Sequence, residues 1–422
     1  MLENDVNQLA GHLFRHESGK MAAVLTRIVG LQNFDLAQDL VQDTLLKAIN
    51  TWKIKGIPEN PSAWLYTVAK RKALDAIRQR KTHAEIESDL AQAFKSEWTL
   101  APTVHHLFFD HEIEDSQLRM MFACCHPSIP YESQIALTLK TLCGLSIAEI
   151  ASSFLTNDET ITKRLYRARE KIREEKIDLE IPSPQTLTSR VETVLHTIYL
   201  LFNEGYNSAH PDQLIRHDLC EEAMRLCLLL TKKPLTDLPS TRALMALMCY
   251  HVSRSEARQD VAGNIILLEY QNRALWSKAL IEKGNDYMNA SADGDDITEY
   301  HLEAGIAACH ANASSFENTP WVKILELYEL LSEIKSDPVI ELNRAIALGF
   351  AETPQKGLEK LKSISVLQNN AVYHAALGHF YVQLKKFSEA KKHYLIAIDL
   401  AKSNSEIDLF QKKINAITLL IR

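Results

Sequence analysis

Residues 142–173, LCGLSIAEIASSFLTNDETITKRLYRAREKIR, contain two short amphipathic helix patterns separated by a tight turn. Ser146 and Glu149 have the spacing of a capping box, in which each side chain bonds the other residue's backbone amide at the start of a helix. Asn157 is a favourable N-cap for the second helix. The apolar stripe of that second helix consists of Ile161, Leu165, Ala168 and Ile172. The stretch therefore predicts a helix-turn-helix.

The second of these helices is densely basic on the face opposite its apolar stripe. Thr160, Lys163 and Arg167 recur at i, i+3 and i+7, so they form one row. In the major groove of DNA, arginine and lysine in such a row reach phosphates and guanine edges. The alternative is a solvated basic helix in a bundle, which the agreement of caps, turn and basic face disfavours. The predicted duplex-binding residues are Thr160, Thr162, Lys163, Arg164, Arg167 and Arg169.

A second basic helix pattern, WLYTVAKRKALDAIRQRK, occupies residues 64–81 and follows a loop at 53–63 that contains a glycine and two prolines. Its aromatic residues are suited to stack on unpaired bases, and its cations to hold the backbone of a single strand. A solvated helix whose tryptophan belongs to the core would have the same pattern, so both interpretations stay open. The predicted single-strand-binding residues are Asn60, Trp64, Tyr66, Lys70, Arg71 and Arg78.

A third helix pattern, DLAQDLVQDTLLKAINTW, occupies residues 35–52. Its apolar residues are Leu36, Ala37, Leu40, Val41, Leu45 and Ala48, at helical spacing. Asp39, Gln42 and Asp43 form a polar stripe on another face. We expect that stripe to be exposed, where acidic groups suit a basic partner surface.

The composition indicates a helical protein made of several domains. The chain has 422 residues, of which 46% are hydrophobic, and only 13 are glycine and 13 proline. The formal net charge of −7 is not typical of a nucleic-acid-binding protein, but a DNA-binding surface needs only local positive charge. Seven cysteines without regular spacing indicate reduced thiols in the cytoplasm. We expect neither a signal peptide nor a membrane span.

The chain beyond Pro184 reads as a long series of helices. Near its end, a pattern of small and aromatic residues is typical of a tetratricopeptide repeat, in which small residues let paired helices approach closely. The residues of this pattern are Leu377, Gly378, Tyr381, Ala390, Tyr394 and Ala397. We therefore predict an all-α protein whose C-terminal part contains tetratricopeptide-like repeats.

Together these segments resemble the bacterial RNA polymerase sigma factors of the extracytoplasmic-function group. Residues 35–52 resemble the helix that binds the beta-prime clamp helices of the polymerase, and residues 60–81 the part that opens and reads the minus-ten element. Residues 144–173 resemble the domain that reads the minus-thirty-five element. The resemblance implies core polymerase, including its beta flap, and promoter DNA as partners. It also implies that the polymerase-binding residues are Asp39, Leu40, Gln42, Asp43 and Lys47.

VLHTIYLLFNEGYNSA, LLEYQNRALW and PVIELNRAIAL, further along, resemble the branch of this group that has a long helical C-terminal extension. Two departures from the family pattern leave the promoter sequence open: Ala69-Lys70-Arg71 where many members have asparagine after Ala-Arg, and Thr162 where a basic residue is common. The predicted segments are a sigma region 2-like domain at 1–82, a linker at 83–117, a region 4-like domain at 118–180, a helical extension at 186–290 and repeats at 297–422.

The resemblance implies a sigma factor whose extension regulates it in cis or binds a protein partner. The alternative is a helix-turn-helix regulator with a tetratricopeptide interaction module, which leaves the motifs at 35–81 unexplained. No nucleophile set, phosphate loop or zinc-protease motif occurs, so we expect no enzyme activity and no cofactor.

Two weaker signals favour structural roles. Adjacent Cys124, Cys125 and His126 cannot easily share one tetrahedral ion, so we expect buried cysteines and no metal. FNEGYN at 202–207 places Glu204 and Tyr206 near His210, as in a ligand pocket, but a helix that ends at Gly205 is the favoured interpretation.

Overall fold

The structure is a computed structural model, and it describes residues 2–80, 97–154, 156–207, 215–261, 263–294, 296–401 and 403–421. These residues form nineteen α-helices, with short 3-10 turns and one isolated bridge between Gln259 and Ile265 as the other regular structure. The predicted all-α fold is confirmed. The chain divides into two compact units, Met1–Ile198 and Tyr199–Arg422. None of the described helices is long and apolar enough to span a membrane.

The first unit contains eight helices and most of a ninth. They are α1 (Leu2–Val29), α2 (Phe34–Lys55), α3 (Pro61–Arg80), α4 (Glu97–His106), α5 (Asp110–Cys124), α6 (Tyr131–Thr141), α7 (Ile147–Ser153), α8 (Asp158–Glu174) and α9 (Pro184–Tyr206), inside which the boundary falls. Helix α1 is central, because it packs against α2, α3, α5 and α6. Its side chains Met21, Leu25 and Ile28 are completely buried.

The predicted linker at 83–117 is wrong for residues 97–117, which form α4, a short turn and the first half of α5. Leu100 and Val104 of α4 and Ile113 of α5 are buried in the same core as α1, α2 and α3. Their burial stabilises the two helices by packing, since short helices gain little from propensity alone. Residues 83–96 of the predicted linker lie outside the described part of the chain.

The second unit is a succession of helices. They are α10 (His217–Thr231), α11 (Pro239–Val252), α12 (Lys278–Ala290), α13 (Glu299–Asn312), α14 (Trp321–Ile334), α15 (Pro338–Ala351), α16 (Pro354–Lys362), α17 (Ala371–Gln383), α18 (Phe387–Leu400) and α19 (Asn404–Ile421). From α10 onward each helix packs against the next one along the chain. Stacking of neighbours is the arrangement by which repeat proteins build a continuous core.

The predicted repeat residues form the interface between α17 and α18. Tyr381 and Tyr394 are buried in one cluster, and a Cβ on Gly378 would lie 2.9 Å from the ring of Tyr394. The glycine is therefore required for close approach of the two helices. Classification of this pair as a tetratricopeptide repeat stays a prediction.

The favoured interpretation of FNEGYN is wrong, because α9 continues through Gly205 to Tyr206. Gly205 serves close packing rather than termination, since a Cβ there would lie 2.9 Å from the backbone nitrogen and the Sγ of Cys220 on α10. His210, the third member of the predicted pocket, lies outside the described residues.

Candidate nucleic-acid interface

The helix-turn-helix is capped as its sequence predicts. The backbone amide of Ser146 donates to Glu149 Oε2 at 2.7 Å, and the amide of Glu149 donates to Ser146 Oγ at 3.2 Å. The amide of Thr160 donates to Asn157 Oδ1 at 2.8 Å, which caps α8. These bonds satisfy amides that a helix start leaves unpaired, so the start of α8 is well defined.

Helix α8 buries one stripe and exposes the opposite face. Ile161, Leu165, Ala168 and Ile172 are buried, as predicted. Thr162, Lys163 and Arg167 are exposed, whereas Thr160 and Arg164 are half-buried. Lys163 forms an ion pair with Glu159 at 2.7 Å, but both side chains remain in solvent, so the pair constrains the lysine little.

Tyr166 is a candidate DNA contact that the search for basic residues missed. Its side chain is 61% exposed, although tyrosine is a large and partly apolar residue. It follows Thr162 by four positions and Lys163 by three, so it belongs to the same exposed face. That periodicity was the signal in the sequence.

Arg169 does not belong to the open face, so its prediction as a duplex contact is corrected. Its Nη1 lies 3.1 Å from Asp35 Oδ1, and its guanidinium lies 5.5 Å from the centre of the Phe34 ring. Arg173 reaches the same aspartate at 3.7 Å, and Gln32 donates to the carbonyl of Ile172 at 3.4 Å. The C-terminal half of α8 thus contacts the turn before α2 and the first residues of α2.

Helix α3 presents its cations unevenly. Arg71 and Arg78 are exposed, and Arg78 lies 4.0 Å from Asp75. Lys70 is half-buried, with its Nζ 5.5 Å from the centre of the Phe108 ring. Burial lowers the pKa of Lys70. Among the described side chains of the helix, the exposed cations are therefore Arg71 and Arg78.

The aromatic residues of α3 are engaged inside the first unit. Trp64 is half-buried against the core and makes an edge contact with Trp52, with ring centres 5.5 Å apart. The hydroxyl of Tyr66 donates to Glu17 on α1. Asn60 is exposed, but its Oδ1 accepts from the amide of Ala63 at 3.0 Å. Trp64 and Tyr66 thus serve the core, so neither is a free stacking surface.

On α2, the predicted polar stripe is exposed. Asp39, Gln42, Asp43 and Lys47 all lie on the surface, and Asp43 forms an ion pair with Lys72 at 2.8 Å. Leu40 is a correction: only 8% of it is exposed, and it belongs to the core. Leu40 therefore supports the exposed polar face, and only a small part of its side chain is accessible to a partner.

The cysteines beside His126 are buried structural residues. Cys124 and Cys125 lie within hydrogen-bonding distance of Thr141 and Thr138, and burial raises the pKa of both thiols. Among the described residues, His106, His111 and Glu112 form a group with ligand atoms within 4.8 Å of one another. Glu112 already pairs with Arg27 at 2.8 Å, which competes with any cation.

Comparison with known families matches three parts of the chain. Residues 13–83 match Sigma-70 region 2, and residues 119–172 match Sigma-70, region 4. Residues 190–292 match a family of unknown function, DUF6596. No solved structure is significantly similar to the chain.

Several proteins are similar in sequence. An uncharacterized protein of Rhizobium meliloti (strain 1021) is 33% identical over 378 residues, which cover 89% of this chain and 88% of that protein. RNA polymerase sigma factor SigV of Bacillus subtilis is 27% identical over 33% of this chain and 74% of its own length. The ECF RNA polymerase sigma-E factor of Haemophilus influenzae is 29% identical over 36% of this chain and 79% of its own length.

The chain contains Sigma-70 region 2 followed by region 4, and region 4 contains the capped helix-turn-helix. This combination defines an RNA polymerase sigma factor, which directs promoter-specific initiation of transcription. The chain belongs to the extracytoplasmic-function sigma factors, and it has a long C-terminal helical extension with a DUF6596 domain. Core polymerase and promoter DNA are therefore its partners. The alternative of an ordinary regulator is excluded by the region 2 match.

Proposed function

We propose that α8 reads the minus-thirty-five element as duplex DNA through one face. The observation that carries this proposal is that Lys163, Tyr166 and Arg167 are exposed together while the opposite stripe is buried. A capped N-terminus with exposed cations behind it suits phosphate contacts, and Arg167 suits a guanine edge. Arg169 holds α8 against α2 instead of contacting a base.

We propose that α3 captures the opened minus-ten strand through its cations. The exposed arginines Arg71 and Arg78, with Lys70 beside them, support backbone contacts to a single strand. Trp64 holds α3 against α2, since its ring packs on that of Trp52, and so supports this surface from the core side. Asn60 defines the first turn of the helix.

We propose that α2 docks on the beta-prime clamp helices and that region 4 contacts the beta flap. The exposed Asp39, Gln42, Asp43 and Lys47 support the first contact, because an acidic stripe complements a basic partner surface. In this proposal the chain acts in the cytoplasm and has no catalytic activity of its own.

We propose that the extension regulates the sigma regions in cis or binds a protein partner. A cavity of about 290 Å³ in the second unit supports partner binding. Its lining includes Trp321 and Phe350, stacked with ring centres 4.4 Å apart, and His379. Aromatic walls with few polar groups are suited to receive an apolar side chain.

The test compares two arginines of α8 in duplex binding. Arg167→Ala should weaken binding to minus-thirty-five DNA by about 1–3 kcal/mol if Arg167 contacts a base. Arg169→Ala, the matched variant, should weaken it clearly less, because Arg169 pairs with Asp35. Both are measured by fluorescence anisotropy at one salt concentration, since phosphate contacts make affinity depend on salt. Equal losses in the two variants would refute the assignment.

A further inference from the structure

A cluster of cations surrounds Tyr206 in the second unit. The guanidinium carbons of Arg258 and Arg254 lie 3.9 and 5.8 Å from the centre of the Tyr206 ring. The His251 ring lies 4.7 Å from it, centre to centre. Tyr206 is only 3% exposed, so two arginines and a histidine meet on a buried aromatic residue. FNEGYN, the motif that contains Tyr206, has no role in the proposed function.

A second group of residues adjoins the first through Arg254. Arg273 lies 4.4 Å from the centre of the Trp276 ring and donates to the carbonyl of His310 at 2.9 Å. Burial, followed by the charges of Arg254 and Arg273, lowers the pKa of His310 to about 3. Burial and the charge of Arg254 also lower the pKa of His251. The amide of Ser277 donates to the carbonyl of Ser253 at 2.7 Å, which places the segment of Arg254 beside that of Trp276, so the two groups form one cationic cluster.

Buried polar atoms in this cluster, most of them donors, have no hydrogen-bond partner among the described residues. The unpaired atoms are Tyr206 OH, Ser255 Oγ, Arg273 Nη2, Trp276 Nε1 and His310 Nδ1. Tyr206, Trp276 and Ser255 are only 3%, 5% and 7% exposed. A buried donor without an acceptor costs about 1–3 kcal/mol, so several in one place require an explanation.

Among the described residues, we find no carboxylate that neutralises the cluster. Within the described part of the chain, the guanidinium of Arg254 forms no ion pair and contacts the Tyr206 ring. Glu317, which acts on Arg273, is exposed to solvent. Glu303 accepts a hydrogen bond from the Tyr199 hydroxyl at 3.0 Å. Glu204 is two residues from Tyr206, about 200° around α9.

We propose that Tyr206, Arg254, Arg273 and Trp276 form a binding site for a small oxyanion ligand, a phosphorylated or carboxylated compound. Guanidinium groups bind phosphate and carboxylate through paired hydrogen bonds, and the hydroxyl and indole donors supply further bonds to the same oxygens. The anion would satisfy the unpaired donors and compensate the charge that the cluster buries. The proposal does not depend on the role of the extension in transcription.

The test is isothermal titration calorimetry of the full chain with inorganic phosphate, and separately with citrate, at constant ionic strength in potassium chloride. We expect saturable binding of at least one anion. Phosphate alone would identify a phosphorylated ligand, and citrate alone a carboxylated one. In Arg254→Gln the dissociation constant should rise at least tenfold, whereas Arg344→Gln, on α15 and paired with Glu341, should bind as the wild type does.

Tyr206→Phe removes only the unpaired hydroxyl, so it tests the site even if Arg254→Gln does not fold. It should weaken anion binding severalfold and leave the melting temperature without anion unchanged or higher, because a buried unpaired donor is lost. The proposal is overturned if neither anion binds saturably, or if Tyr206→Phe binds as tightly as the wild type.

Discussion

At the scale of single residues, Glu17 is the carboxylate that joins α1 to α3. It is 3% exposed and accepts from Ser62 Oγ and Lys20 Nζ, both at 3.2 Å, as well as from the Tyr66 hydroxyl. Burial alone would raise the pKa of Glu17, but hydrogen bonds from His16 and Tyr66 and the charge of Lys20 lower it to about 2. The ionised form therefore stabilises the folded state.

Glu17→Gln should lower the free energy of unfolding at pH 7 by roughly 2–3 kcal/mol. Because the folded pKa is below the ordinary value of 4.5, the stabilisation is present above that value and is lost as the pH falls toward 2. The difference between wild type and variant should therefore shrink from pH 6 to pH 3, measured by urea denaturation. The exposed Glu59→Gln is the control, and a difference independent of pH would contradict the account.

Residue patterns predicted the caps and stripes of α8 but not the role of every cation. Ser146, Glu149 and Asn157 act within a few residues of chain, so local spacing determines their bonds. Arg169 is different, because its partner Asp35 is far away in the sequence. Periodicity assigns a residue to a helix face, but only tertiary packing decides what that face meets.

At the scale of elements, α4 was not predictable from its pattern. It is ten residues long and contains Pro102, which argues against a helix interior. Its helix depends on the burial of Leu100 and Val104 beside α1 and α3. Long helices with a regular apolar stripe, such as α2 and α8, were predictable because periodicity and packing agree in them.

The contact between α1 and α6 gives the clearest prediction for an element. Gly19 lies inside α1, where alanine usually stabilises a helix by about 0.5–1 kcal/mol. A Cβ at this position would lie 2.1 Å from the carbonyl oxygen of Leu142, so Gly19→Ala should instead destabilise the protein. Urea denaturation measures the sign.

Gly305→Ala on α13 is the comparison for Gly19→Ala. Its Cβ would first meet a side-chain methyl of Leu327 at 3.3 Å, which can move. It should therefore cost less than Gly19→Ala. Stabilisation by Gly19→Ala would show that α1 and α6 are not in close contact.

At the scale of the whole molecule, the first unit ends at Ile198, later than the predicted end of the region 4-like domain at residue 180. The guanidinium of Arg190 on α9 donates to the carbonyl of Phe122 at 2.5 Å, and the ring of His196 lies 4.9 Å from that of Tyr131, centre to centre. The first half of α9 is thus part of the sigma-region core. Pro184 marks where α9 begins, which is not where the unit ends.

A fragment of residues 1–198 should therefore be more stable than a fragment of residues 1–181. The shorter fragment loses the Arg190 bond, and a hydrogen bond to a charged group contributes about 1.5–3 kcal/mol. Thermal unfolding of the two fragments checks this. Equal melting temperatures would mean that α9 belongs to the extension alone.

The measurement that tests the central claim is transcription in vitro with core RNA polymerase, this chain and genomic DNA, with the 5′ ends of the transcripts sequenced. We predict defined start sites in the absence of any other sigma factor. Asp39→Arg should reduce these transcripts at least tenfold, whereas Glu389→Arg, an exposed acid on α18, should not. If defined starts appear only when another sigma factor is added, the chain does not direct initiation and the account is wrong.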